Sequence, residues 1–80
     1  MNIKILGTGC PSCRSMSNDV TRILARKGMD ATVEYVQDIE RILSYGVMST
    51  PVLVIDEKVA MVGHRGATKI EQALRDRAAA

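Results

Sequence analysis

Gly7-Thr8-Gly9-Cys10-Pro11-Ser12-Cys13, residues 7–13, joins a short apolar run, Ile3 to Leu6, to a long segment of helical periodicity. Both cysteines therefore fall where a strand ends and a helix begins. A helix N-terminus presents unpaired backbone N–H groups and about half a positive charge, and so favours an anion. A thiolate is such an anion. Pro11 suits the first helical position, where its missing N–H costs nothing. That sets Cys10 at the cap and Cys13 one turn further in, with the two sulfurs on one helical face and within disulfide reach.

Outward from this stretch, Ile3, Ile5 and Leu6 read as a first strand, buried on both faces except at Lys4. Gly7 and Gly9 let the backbone turn tightly. From Pro11 to Lys27, the residues Cys13, Met16, Val20, Ile23, Leu24 and Lys27 recur on one helical face, whereas Arg14, Asn18, Asp19, Arg22 and Arg26 take the other. Gly28 marks the stop. Ala31 to Val36 reads as a second strand, with Val33 and Tyr35 on one face and Glu34 and Val36 on the other. A strand, a helix and a second strand in this order form a right-handed parallel crossover.

Asp38 caps a short helix carrying Ile39, Ile42 and Leu43 that ends near Gly46. Val52 to Ile55 is the strongest strand signal, and Val59 to Val62 returns from it as a hairpin. Glu57 suits a two-residue primed turn poorly, so a type I turn or a bulge is expected at Asp56-Glu57-Lys58. Thr68-Lys69-Ile70-Glu71 reads as a capping box for a last helix with Ile70, Ala73 and Leu74 inward. Ala78 to Ala80 are expected to fray. The order β-α-β-α-β-β-α predicts an α/β fold: one domain over residues 1–80, with a four-stranded mixed sheet of order 2-1-3-4 and helices on both faces.

Composition narrows the function. The chain has 80 residues and a net charge of +2, with both signs scattered; it contains two Tyr, no Phe and no Trp. No basic stripe or aromatic platform argues for nucleic acid. No apolar run approaches the ~20 residues of a membrane span. Met1 and Asn2 lead straight into the first strand, which leaves no room for a signal peptide. The cytosol is the expected compartment, where a stable structural disulfide is uncommon.

Three chemistries suit a Cys-x-x-Cys pair. A staple closing four residues gains only about 2 kcal/mol by chain entropy. A closed zinc site needs four ligands, and His64 is the sole histidine. Copper(I) needs only two thiolates. The redox reading needs an acidic, reachable nucleophile and a second thiol behind it, and the expected geometry supplies both: Cys10 attacks, Cys13 resolves. A Cys-x-x-Cys beside a βαβ pattern is itself a thiol-redox signal.

The chain resembles the small thioredoxin-like redox-active disulfide proteins, compact relatives of thioredoxin and glutaredoxin. The resemblance rests on Ile-Leu-Gly-Thr-Gly-Cys-Pro-Ser-Cys at 5–13, Tyr-Gly-Val-Met-Ser-Thr-Pro at 45–51 and Val-Leu-Val-Ile-Asp-Glu-Lys-Val at 52–59. It implies a thioredoxin-like fold and a thiol:disulfide oxidoreductase without cofactor or metal. It also implies a cis Pro51 beside the cysteines, with Thr50 facing the Cys10 sulfur and Ser49, Thr50, Pro51 and Pro11 docking an extended protein disulfide substrate. Thr8, Gly9, Val47 and Met48 would complete an apolar rim. A flavin-dependent reductase like that of thioredoxin would recharge the protein, which is expected to be a monomer.

Where thioredoxins carry a tryptophan and a buried acid, this sequence has Gly9 and Lys4. No acid after Gly63 matches the glutathione clamp of glutaredoxins. Lys4 is expected to reach water, His64 to be an exposed loop residue, and Met16 to fill core. The competing readings are a copper(I) carrier using the same cysteines and a non-catalytic adaptor gripping a strand at Pro51.

Overall fold

The computed structural model describes residues 1–79. The elements run β1 (Asn2–Leu6), α1 (Pro11–Lys27), β2 (Thr32–Val36), α2 (Ile39–Ser44), β3 (Val52–Ile55), β4 (Lys58–Val62) and α3 (Ala67–Ala79). The sheet order is β2-β1-β3-β4, the expected 2-1-3-4. β1 lies parallel to β2, with Ile5 opposite Tyr35 and Leu6 opposite Val36, and antiparallel to β3, with Leu6 opposite Val52. The C-terminal end of β1 and the start of β3 thus meet at one end of the two central strands. The cysteine loop and the Thr50-Pro51 loop both leave from there.

Alternation along the strands divides the buried side chains between two faces. Ile3, Ile5, Leu53 and Ile55 pack under α1 and α3, against Met16, Val20, Ile23, Leu24, Ile70 and Leu74. Leu6, Val36, Val52 and Val54 pack under α2, against Ile42. Helices therefore cover both faces. No helix among the described residues is long and apolar enough to cross a membrane.

Several sequence expectations are corrected by tertiary contacts. Asp19, assigned to the solvent side of α1, is largely buried because the His64 ring folds back onto it, with Nε2 2.9 Å from its carboxylate; Arg22 donates to the other oxygen at 2.8 Å. His64 is accordingly half-buried rather than exposed. Lys27, placed on the inner face, is exposed, and its ammonium lies 3.7 Å from Glu71.

The hairpin turn is of the primed kind after all. Asp56 and Glu57 both have left-handed backbones, with φ of 50° and 67°, which side-chain-bearing residues adopt at a cost of about 1–2 kcal/mol each. Tertiary bonds offset that cost: Asp56 exchanges hydrogen bonds with Asn2, at 2.7 and 2.8 Å, and Glu57 accepts from both Lys4 and the Tyr45 hydroxyl. The bulge sits further along, where Leu53 pairs Met61 but Val54 pairs Val59, leaving Ala60 without a partner.

The capping box does not form, because α3 begins two residues early, at Ala67 rather than Lys69. The Ile70 N–H bonds the Gly66 carbonyl, so Thr68 already lies inside the helix. Glu71 instead accepts from Arg26 of α1 at 2.6 Å, joining the two helices. Of the tail expected to fray, residues 78 and 79 continue the helix, and Ala80 lies outside the described residues.

Candidate active site

Cys10 is the N-cap of α1, in extended backbone conformation, and Pro11 follows at the first helical position. The Cys10 carbonyl accepts the first helical hydrogen bond from Arg14 at 3.0 Å, and the Cys10 sulfur accepts the Cys13 N–H at 3.2 Å. One orphan amide of the helix start is thus aimed at this sulfur, and together with the helix dipole it favours negative charge there. Cys10 and Cys13 are paired as a disulfide, their Cα atoms 5.1 Å apart. Cys10 is partly exposed, whereas Cys13 is fully buried. The first cysteine is partly open to solvent and the second is enclosed behind it.

The loop before the helix is shaped by two glycines for different reasons. The Gly7 N–H extends the parallel ladder by bonding Val36 at 2.9 Å. A Cβ at Gly7 would come within 2.7 Å of the Cys13 sulfur, closer than atoms pack, so only glycine lets the helix sit this near the strand. Gly9 has a φ of 89°, a left-handed conformation that turns its N–H toward the Tyr35 hydroxyl, at 3.2 Å.

At the same end of the sheet, just before β3, the Thr50–Pro51 peptide bond is cis. Pro51 is buried, and its carbonyl accepts the Gly63 N–H at 2.7 Å. Thr50 shares a cleft with Thr8, Ile42, Val47 and Met48, whose open side is formed by Ile39 and Leu43. Met48 is 95% exposed and Ile39 60%, so this wall offers apolar surface beside the cysteine loop. Of the other residues expected at the rim, Ser49 and Pro11 are exposed, while Gly9 lines a second, more polar cleft of about 410 Å³ with Arg14, Ser17, Asn18, Tyr35 and Gln37.

Lys4 neither reaches open water nor approaches the cysteines. Its strand neighbours Ile3 and Ile5 face α1, so Lys4 points to the α2 side, where its ammonium pairs with Glu57. The hydrogen bond from Lys4 holds the Glu57 carboxyl below its usual value of 4.5, and Glu57 in turn raises Lys4 above 10.5. Met16 is core. No group of three metal-binding side chains occurs among the described residues.

Tyr35 is the site residue that sequence reading passed over. It counted only as one face of a strand. The usable signal was its register: it lies opposite Ile5, on the α1 face, two places below the level of Gly7.

A family model described as "Thioredoxin domain" matches residues 1–75. The chain belongs to the thioredoxin family. It is 32% identical over 71 residues to a thioredoxin of Methanothermobacter thermautotrophicus, covering 89% of this chain and 91% of the relative. It is 33% identical over 61 residues to a thioredoxin of Methanocaldococcus jannaschii, covering 76% of this chain and 70% of that one. Within this family the chain is an enzyme, a thiol-disulfide oxidoreductase.

Proposed function

We propose that the protein reduces or exchanges disulfides in protein substrates through Cys10 and Cys13. The observation that carries this reading is the pairing of a partly exposed N-cap cysteine with a fully buried one, one helical turn apart. In the reduced protein, the Cys10 thiolate attacks a substrate disulfide and expels one substrate thiolate, leaving a mixed disulfide. Cys13 then attacks the Cys10 sulfur, expels the second substrate thiolate and closes the intramolecular bond. Two electrons pass to the substrate without a cofactor.

The substrate's extended segment docks along Ser49, Thr50 and Pro51, with Pro11 on the far side of the sulfurs. An apolar substrate side chain enters the cleft between Leu43, Met48 and Thr8. A flavin-dependent reductase returns the protein to the dithiol form. The chain acts as one domain, as a monomer, in the reducing cytosol, where a bond held by two helix-start cysteines serves turnover rather than stability.

Single substitutions test the assignment. Cys10→Ser is expected to lower the rate of reduction of a protein disulfide at least a thousandfold, to background. Cys13→Ser is expected to accumulate mixed disulfides with substrate, visible by mass spectrometry. Full activity in Cys10→Ser would overturn the roles. Tight copper(I) binding by a wild-type protein that exchanges no disulfide would replace the reading with that of a metal carrier.

A further inference from the structure

Resolution needs Cys13 as a thiolate, yet the side chain has no solvent exposure. Burial opposes a charged sulfur. The charged groups near the cysteines are turned elsewhere. Lys4 is paired with Glu57 on the other side of the sheet. Arg14 is exposed and shares the outer cleft with Tyr35. Asp19 and His64 bind one another further along α1.

The Tyr35 hydroxyl of β2 comes close to the same spot beside Gly7 as the Cys13 sulfur. A Cβ placed on Gly7 would lie 2.7 Å from the Cys13 sulfur and 3.1 Å from the Tyr35 hydroxyl oxygen. Sulfur and phenol therefore flank one point, which the missing glycine side chain leaves clear. The hydroxyl already accepts the Gly9 N–H. Because a hydroxyl both accepts and donates, its proton is left to point at an acceptor. The ring is half-buried against the α1–α3 core, which fixes its direction.

We infer that Tyr35 serves the resolving step by donating its phenol hydrogen bond to the Cys13 sulfur whenever that sulfur carries negative charge. This rests on Cys13 being the resolving thiol. In that step the Cys13 thiol gives its proton to water, and the thiolate attacks the Cys10 sulfur. The Cys10–Cys13 bond forms as the Cys10–substrate bond breaks, and the electron pair leaves on the substrate sulfur, which takes a proton back from water. In the opposite direction, a donor thiolate attacks Cys10 and expels Cys13 as the anion that Tyr35 receives. Where thioredoxins have an acid on the strand before the cysteines, this chain has turned Lys4 away and brings a neutral donor from the neighbouring strand.

Tyr35→Phe keeps the ring and removes the hydroxyl alone. In single-turnover exchange, release of the second substrate thiol is expected to slow about tenfold near neutral pH, the size of one hydrogen bond to an ionised group. The deficit should shrink as pH rises and more Cys13 ionises unaided. In the Cys10→Ser background, the ultraviolet absorbance of the Cys13 thiolate should appear about one pH unit later once Tyr35 is Phe.

Superimposable pH profiles for the two proteins overturn the inference. A slowdown equal at every pH, with a lowered Tm, also overturns it, since that is the mark of packing alone. Absence of exchange in the wild-type protein would instead defeat the proposed function, and the Cys13 titration would still decide whether the phenol stabilises its anion.

Discussion

Under α1 and α3, ten apolar side chains among the described residues close a continuous core, every one of them less than a tenth exposed. Under α2, five do so, and two of that helix's three aliphatic residues, Ile39 and Leu43, remain more than half exposed. The lengths explain part of the contrast: α1 has 17 residues and α2 six, too few to lay a full apolar stripe across the sheet. The chemistry is divided along the same line. Cys13 and Tyr35 are seated on the deep side, where packing locks their directions. The cleft beside Thr50 opens on the shallow side, where little packing has to be disturbed for a partner to enter.

Matched truncations put this contrast at risk. Leu53→Ala empties a site enclosed by two helices and is expected to cost about 2–5 kcal/mol, with Ile42→Ala at the low end, about 2 kcal/mol, because a six-residue helix can settle into the space. Urea unfolding of the two variants measures the difference. Equal losses would mean that α2 is as firmly held as α1. A smaller effect is expected from Leu43→Ser at the exposed rim, with stability changed by no more than about 0.5 kcal/mol. Its KM for a protein disulfide should rise about threefold, because one apolar wall of the cleft is lost. An unchanged KM would move substrate docking to the other cleft.

The smallest effect belongs to the Lys4–Glu57 pair on the shallow side. The folded Glu57 carboxyl titrates below its usual 4.5, so its contribution is present above that pH and is lost as pH falls through the folded value. Lys4 is raised above 10.5, so its contribution is present below that pH and is lost as pH rises through the folded value. Glu57→Gln should therefore flatten the fall of Tm on both limbs while leaving the Leu53 side untouched. A parallel acid limb in the variant would show that the ion pair carries no stability.

The deep side was also the more legible in sequence. Its stripe runs at helical spacing through Met16, Val20, Ile23 and Leu24, and β3 beneath it is an uninterrupted aliphatic run, so the pattern of apolar residues alone gives element type and facing. The cysteine pair stood out for the same local reason, a cap, a proline and a glycine turn within one short stretch. What escaped was decided by groups far apart in the chain. Asp19 looked solvated until His64 was folded onto it, across 45 residues of sequence. The left-handed turn at Asp56 and Glu57 contradicts local preference and is held by Asn2, Lys4 and Tyr45. Tyr35 is ordinary in its own strand, and its hydroxyl comes beside Gly7 and Gly9 only because β2 pairs with β1 in a particular register.

The extra residue at Ala60 bears on how copies of this chain coexist at high concentration. β4 is an outer strand of the sheet, and a straight row of free N–H and C=O groups there would invite a second molecule to pair along it. With one residue out of step between Met61 and Val59, that row bends and loses its regular spacing midway. A neighbour approaching from this side could match only a few of its amides, which disfavours runaway sheet growth in a crowded cell.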